Sequence, residues 1–438
     1  MTAHPVSHIA PIQKMADGTI KQVNPFSGTE VWTVPGRGKR PLQQPVSNPQ
    51  PLTEKDFEFR CAFCAGRMAE TPPEKARVLA DATLAYGQPL GGNPEFRRVP
   101  NMFEILPYSY WQANYGFDMD TATSDWMRRY MNFPGGREHV ESIVATRNKV
   151  AGMAPDCGTD LEAQAAGFFA SGHDVIIARR HFVDGATDDS QLASAGTLTP
   201  HEHFQFIHLT VDGIRDLYAR NPYVNYVAAF QNWLRPAGAS FEHLHKQLVA
   251  IDDRGMASEN EVKKVHANPN MYNEWAVDYA QQQNLVIAEN EHAVLFAGFG
   301  HRFPTLEIYS KSPHTRPWEH AVSELRGMSD MVHAAHAAMG PHVPSNEEWH
   351  HQPRDVDVAM PWRIMLKLRI STLAGFEGGT HIYINTISPW ELRDRVVDAL
   401  YGLRAAGEIA PLCIAAECGN ESNKLLYATS KRLSAPQD

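Results

Sequence analysis

In the segment Ala239-Ser240-Phe241-Glu242-His243-Leu244-His245-Lys246-Gln247, two imidazoles and an amide stand at every second position, and the run continues into Leu248-Val249-Ala250-Ile251. Side chains alternate across a strand, so His243, His245 and Gln247 are predicted to share one face of a β-strand. Val or Ile would normally fill such a face, which leaves two readings. Either the face is wet and its histidines are incidental, in a chain with 21 His, or it is chemical. Two adjacent imidazoles can divide labour, one holding a metal or a structural contact and the other acting as a nucleophile.

Arg60-Cys61-Ala62-Phe63-Cys64-Ala65-Gly66 carries a Cys-x-x-Cys pair early in the chain. With no second Cys pair nearby, it supplies half of a tetrahedral zinc site whose other ligands come from elsewhere. A thioredoxin-like redox pair would instead open the helix of a βαβ unit, whereas here a Gly and polar residues follow. The helix signal comes later, at Thr71-Pro72-Pro73-Glu74. This capping box with Pro in the first turn predicts a helix over about residues 72–86. Zinc is the better reading.

A 438-residue chain that is 43% hydrophobic can bury large cores, and it predicts two domains or one duplicated domain. A net charge of −10 and a pI near 6.1 argue against nucleic acid or an anionic membrane as the main partner. Any phosphate site then rests on local Arg, Lys and backbone N–H groups. Cys157, Cys413 and Cys418 read as reduced thiols. No apolar run is long enough to cross a bilayer, and the first residues lack a signal-peptide core, so a soluble cytoplasmic protein is expected.

Residues 1–60, rich in Pro, Gly and Gln, read as an extended arm with a short strand at Val31-Trp32-Thr33-Val34. Residues 107–165 carry many aromatics and little periodicity. A strand at Val175–Ala178 precedes a helix capped by Thr199-Pro200, with Phe204, Ile207, Val211, Ile214 and Leu217 at helical spacing. His201 and His203, in its first turn, are expected to face solvent. An alternating strand from Tyr223 to Phe230 leads to the histidine strand. The order then recurs: Leu306–Tyr309 as a strand, a helix opened by Pro317, and the strictly alternating Ile364–Ile370. Two such halves, divided at about residues 252–253, predict an α+β fold with a mostly antiparallel sheet.

Several ordered motifs together resemble the galactose-1-phosphate uridylyltransferase family of the histidine-triad superfamily. These are Asn24-Pro25…Gly28 with Arg37-x-x-Arg40-Pro41, Cys61-x-x-Cys64 with Thr71-Pro72-Pro73-Glu74, and Val99-Pro100-Asn101-Met102-Phe103. His181, Phe230-Gln231-Asn232, the His243–Gln247 run, Ala374-Gly375-Phe376-Glu377 and Tyr383-Ile384-Asn385 follow in family order. The resemblance implies histidine-triad-like halves: residues 1–252 with the zinc site and the H-x-H-x-Q run, and a degenerate half at 253–438. It implies zinc on Cys61, Cys64, His181 and His243. It makes His245 the nucleophile that forms a nucleotidyl-histidine, with Gln247 assisting. Arg37, Arg40, Asn101, Phe103, Asn232, Ser240 and Glu377 become substrate contacts, and the assembly a homodimer. His201 and His203 are the runners-up to His181 as ligands, and His173 and His350 read as structural.

The chain departs from the family where a second H-x-H pair is expected, since Pro361-Trp362-Arg363-Ile364-Met365-Leu366-Lys367 stands there. A second metal site there is therefore expected to be lost, and the acceptor to be an anion other than galactose 1-phosphate. Arg363 and Lys367 either meet that acceptor or pair with Asp355 and Asp357. Three functions remain open: a nucleotidyltransferase acting on a nucleotide sugar through His245, a phosphorylase or hydrolase of dinucleotides using the same His, and a zinc-stabilised nucleotide-binding protein.

Overall fold

The computed structural model describes residues 10–36, 48–153 and 160–429. The strands in chain order are β1 (Ile12–Lys14), β2 (Ile20–Val23), β3 (Glu30–Thr33), β4 (Ala76–Val78), β5 (Leu84–Tyr86), β6 (Phe96–Pro100), β7 (His173–Ala178), β8 (Tyr226–Trp233) and β9 (His245–Ile251). They continue as β10 (Val286–Glu289), β11 (Ala293–Ala297), β12 (Thr305–Ser310), β13 (Ser345–His350), β14 (Arg363–Leu368), β15 (Ile382–Asn385) and β16 (Cys413–Ile414). The arm strands β1, β2 and β3 join β15 in a small sheet. The other strands form one sheet in the order β16-β10-β11-β12-β14-β13-β8-β9-β7-β6-β4-β5.

The large sheet is a repeat. Strands β6 and β7, helix Pro200–Arg220, then β8 and β9 lie in the order β6-β7-β9-β8. Strands β11 and β12, helix Val322–Met339, then β13 and β14 lie in the order β11-β12-β14-β13. The two units meet antiparallel at β8 and β13, with Phe230 opposite Glu348. Even the register repeats, since Ile177 opposes His245 and Tyr309 opposes Arg363. Arg363 is thus the second half's counterpart of His245. The α+β, mostly antiparallel, duplicated architecture expected from the motifs is the one observed.

One face of this sheet is covered by the two long helices. Helix Pro200–Arg220 starts at a capping box between Thr199 and Glu202, with Pro at its first position. It buries Phe206, Ile207, Ile214 and Leu217, each worth roughly 1.5–3 kcal/mol of apolar burial. Lys246, sandwiched in sequence between His245 and Gln247, points to this covered face. There it pairs with Glu347 of β13 and donates to Gln231 Oε1 at 3.1 Å.

Several local expectations are corrected. No helix forms over residues 72–86; β4 and β5 make a hairpin instead. Pro72 and Pro73 each bias the residue before them away from helical backbone, and Ala82 turns the chain at φ 66°. The aromatic stretch is helical, as Tyr108–Tyr115, Thr121–Met131, Gly136–Val150 and Leu161–Phe169. The last three of these pack Trp126, Tyr130, Ile143, Val144 and Phe168 into a small core of their own. His203 does not face solvent: it is fully buried, with Nδ1 2.8 Å from Ser329 Oγ on the opposite helix. The arm is not free either, because β3 pairs in parallel with β15.

Candidate active site and metal centre

Cys61 and Cys64 sit in a tight turn, closed by Cys64 N–H donating to the Cys61 carbonyl at 3.0 Å and Arg67 N–H donating to Cys64 at 3.0 Å. His181 follows the end of β7. His243 lies in the turn just before β9, so the strand begins at His245 and the two histidines are not both strand residues. The Cys61, Cys64, His181 and His243 ligand atoms all lie within 4.8 Å of one another. The sulfurs are 3.8 Å apart, and each imidazole presents Nδ1 at 3.5–3.7 Å from both sulfurs. Zinc-sized bond lengths in a tetrahedron require S–S edges of about 3.8 Å and S–N edges of about 3.5 Å. His243 Nε2 is 2.7 Å from the Ala178 carbonyl. That nitrogen must donate, which leaves Nδ1 as a lone pair for a metal. These four side chains can hold a metal ion.

His245 is turned the other way. Its Nδ1 lies 2.7 Å from the His243 carbonyl oxygen and donates to it, leaving Nε2 unprotonated. Phe63 and Phe241 flank the ring, at centroid distances of 5.2 and 6.5 Å. Burial pushes its pKa down to about 4, so the imidazole is neutral at pH 7. A neutral ring with a free Nε2 is the nucleophilic form.

Gln247 is set by a residue to which sequence reasoning gave only a structural role. His173 Nδ1 receives the backbone N–H of Ile105 at 3.3 Å, which puts the proton on Nε2. That Nε2 lies 3.1 Å from both Gln247 Oε1 and Asn101 Nδ2; of the two only the Gln247 oxygen can accept its proton, which leaves the Gln247 amide N–H groups for a ligand oxygen. Burial lowers the His173 pKa and keeps it neutral. Arg97 was missed altogether. It is 3% exposed and donates to the Phe63 carbonyl and to Thr71 Oγ1, each at 3.3 Å, tying the cysteine turn to β6. The only signal for it was a pair of arginines inside an otherwise apolar strand.

Asn101 reaches this corner. Its backbone N–H donates to the His173 carbonyl at 2.7 Å, and its Oδ1 accepts from Phe103 N–H in a local turn. The Phe103 ring is 53% exposed and free to stack. Asn232 lies on β8 beside His245 and accepts from Asn346 Nδ2 at 2.7 Å. Ser240 is exposed on the loop leading into His243. Glu377 is used locally, accepting from Ala374 N–H at 2.9 Å and Ile384 N–H at 3.0 Å, and among the described residues no bond ties it to the His245 segment. Arg37 and Arg40 lie outside the described residues. Arg363 and Lys367 pair with Glu261 and Glu348, not with Asp355 and Asp357.

A family model described as a domain of unknown function, DUF4921, matches residues 15–427. The chain belongs to this family. It is 22% identical over 374 residues to the ADP-glucose phosphorylase of Arabidopsis thaliana, covering 82% of this chain and 88% of that protein. A crystal structure of an Arabidopsis ADP-glucose phosphorylase with bound ADP-glucose superposes with a TM-score of 0.55 at 18% identity, over 87% of this chain and 98% of that one. A galactose-1-phosphate-uridylyltransferase-like protein of Arabidopsis gives 0.54 at 18% identity, over 78% and 93%. This DUF4921 chain therefore shares the fold of that divergent uridylyltransferase-like group, as its motifs implied. No helix of the described residues is long and apolar enough to cross a membrane.

Proposed function

We propose that the protein is a nucleotidyl-transferring enzyme acting on a nucleoside-diphosphate sugar through His245. The observation that carries this reading is the His245 ring: neutral, with Nδ1–H spent on the His243 carbonyl and Nε2 free among the described residues, two positions along the strand from Gln247. In the first step Nε2 attacks the α-phosphorus. The N–P bond forms, the P–O bond to the sugar phosphate breaks, and the sugar phosphate leaves. In the second step an oxygen of a phosphate-bearing acceptor attacks the same phosphorus, the P–N bond breaks, and neutral His245 returns. Gln247 N–H groups, and Ser240 on its loop, stabilise the non-bridging oxygens. Asn101 and Phe103 hold the base, Asn232 adds a polar contact beside His245, and Arg37 and Arg40 meet the phosphates from the arm. Glu377 remains a substrate contact in this reading.

Cys61, Cys64, His181 and His243 would hold a zinc ion in a structural role, since two thiolates and two imidazoles make a complete four-ligand set. His243 presents its carbonyl to the His245 ring and so sets the His245 tautomer. The likeness to ADP-glucose phosphorylase supports phosphorolysis of ADP-glucose as the first pair to test, ahead of transfer to a hexose phosphate. The test is isotope exchange. Labelled glucose 1-phosphate should enter ADP-glucose with no second acceptor present, because the covalent half-reaction is reversible. Exchange that requires a second acceptor would contradict the covalent route.

A further inference from the structure

The open face of the large sheet continues past His245. Extending the β8–β9 register sets Asn232 opposite His245, and the next pairings are Asn232 with Asn346 and Asn346 with Lys367. A polar row thus crosses the junction of the two halves and ends about 14 Å from His245, at roughly 4.8 Å per strand. Around its far end lies a cleft of about 880 Å³, walled by the arm, β8, β13, β14 and the loop before β12, which is ample for a small ligand.

The charges in this cleft do not balance. Arg363 and Lys367 are neutralised by Glu261 and Glu348. Arg302 and Arg369 are not: among the described residues neither has a carboxylate within 4.0 Å. Both guanidinium groups instead lie against the Phe303 ring, at 4.9 and 4.7 Å from its centroid. Donors are in excess too. Arg363 is 2% exposed, yet among the described residues its Nε and Nη1 have no hydrogen-bond partner, and Arg369 Nε is likewise buried and unmatched there. Unpaired buried donors are costly, and two guanidinium cations packed against one aromatic ring repel each other. A dianionic group rich in acceptors removes both penalties, and arginine forks match phosphate geometry.

We propose that this cleft is a second ligand site, binding a phosphorylated small molecule with Arg302 and Arg369 holding its phosphate. Both arginines belong to the half that lacks the histidine pair, and binding there requires no chemistry at His245. The phosphate contact falls to these two arginines and not to Arg363 and Lys367.

Calorimetric titration of the full chain with inorganic phosphate and with glucose 1-phosphate tests it, using wild type, His245→Gly, Arg302→Gln and Arg302→Gln/Arg369→Gln. Among the described residues Arg302 makes ring contacts only, with Phe303 and Tyr383, so its single variant guards against misfolding in the double variant. Binding should persist in His245→Gly and weaken about tenfold or more in Arg302→Gln, the worth of a charged hydrogen bond. Tighter binding of the sugar phosphate supports a site that also reads the sugar, and equal binding supports one that reads phosphate alone. Unchanged affinity in both arginine variants overturns the proposal, as does no wild-type binding of either probe up to about 10 mM. Covalent labelling of the same proteins is read in parallel. No label on the wild-type protein, or label that survives in His245→Gly, with arginine-dependent binding intact condemns the His245 reading and leaves this site standing.

Discussion

Lys246 offers the sharpest test of how the catalytic strand is held. Its ammonium and the Glu347 carboxylate are both 0% exposed and 2.5 Å apart, which joins β9 to β13 underneath β8. Glu347 also accepts from His336 Nε2 at 2.7 Å and from Trp349 Nε1. Burial pushes the Glu347 carboxyl up, but the Lys246 ammonium and then His336 outweigh it and hold it well below the usual carboxylate range. Lys246→Met leaves that carboxylate with one imidazole and one indole. Removing one partner of a buried pair costs about 3–5 kcal/mol. Lys246→Met/Glu347→Gln keeps acceptors for His336 and Trp349 without the orphan charge, and should recover to within about 2 kcal/mol of wild type, since neutral replacement of a buried pair is often tolerated. Urea unfolding followed by tryptophan fluorescence reads both variants. A Lys246→Met protein within about 1 kcal/mol of wild type would refute the reasoning, as would a double variant no more stable than the single one.

Elemental analysis should find one zinc per chain, with Cys61→Ser losing it and unfolding at lower temperature; full metal content in a Cys61/Cys64 double variant would sink the site. His173→Leu should leave metal and His245 in place yet lower the rate of covalent labelling about tenfold or more, because Gln247 loses the donor that orients it, while His173→Gln should restore part of that rate; equal loss in both would indicate a purely structural role. Glu104, beside Gly172 N–H at 3.3 Å, has its pKa raised to about 8 by burial. Between about pH 4.3 and pH 8 the native state then binds the extra proton, so stability falls as pH rises, by up to about 1.4 kcal/mol per unit from this group. The stability of Glu104→Gln relative to wild type should therefore climb across that window, and a flat difference would contradict the assignment.

The repeat and the Cys61–Cys64 turn were legible because their signals are local or strongly typed, while His181 and His243 were grouped with that turn through the family resemblance. Alternation in β9 and β14, the capping box before Pro200 and the Cys-x-x-Cys turn each need only a few residues. The hairpin of β4 and β5 was not legible, because Thr71–Glu74 satisfies the helix-start pattern while tertiary pairing with β6 takes Ala76–Val78 into the sheet. The helices over 108–169 escaped because their apolar residues serve more than one core and blur a single helical stripe. His173, Arg97 and the pairing of Arg363 with Glu261 depend on contacts between residues 34 to 102 positions apart, which no local pattern carries. The alternation that put His245 and Gln247 on one face said nothing of Lys246, whose partner on β13 appears only in the folded sheet.

His245 is the residue proposed to carry the nucleotide. Wild-type protein incubated with ADP-glucose labelled at the α-phosphate, quenched and digested, should yield an acid-labile label on the peptide spanning His245. His245→Gly, with unchanged metal content and fold, should yield none. Label that survives in His245→Gly, or that maps to His243, would contradict the account.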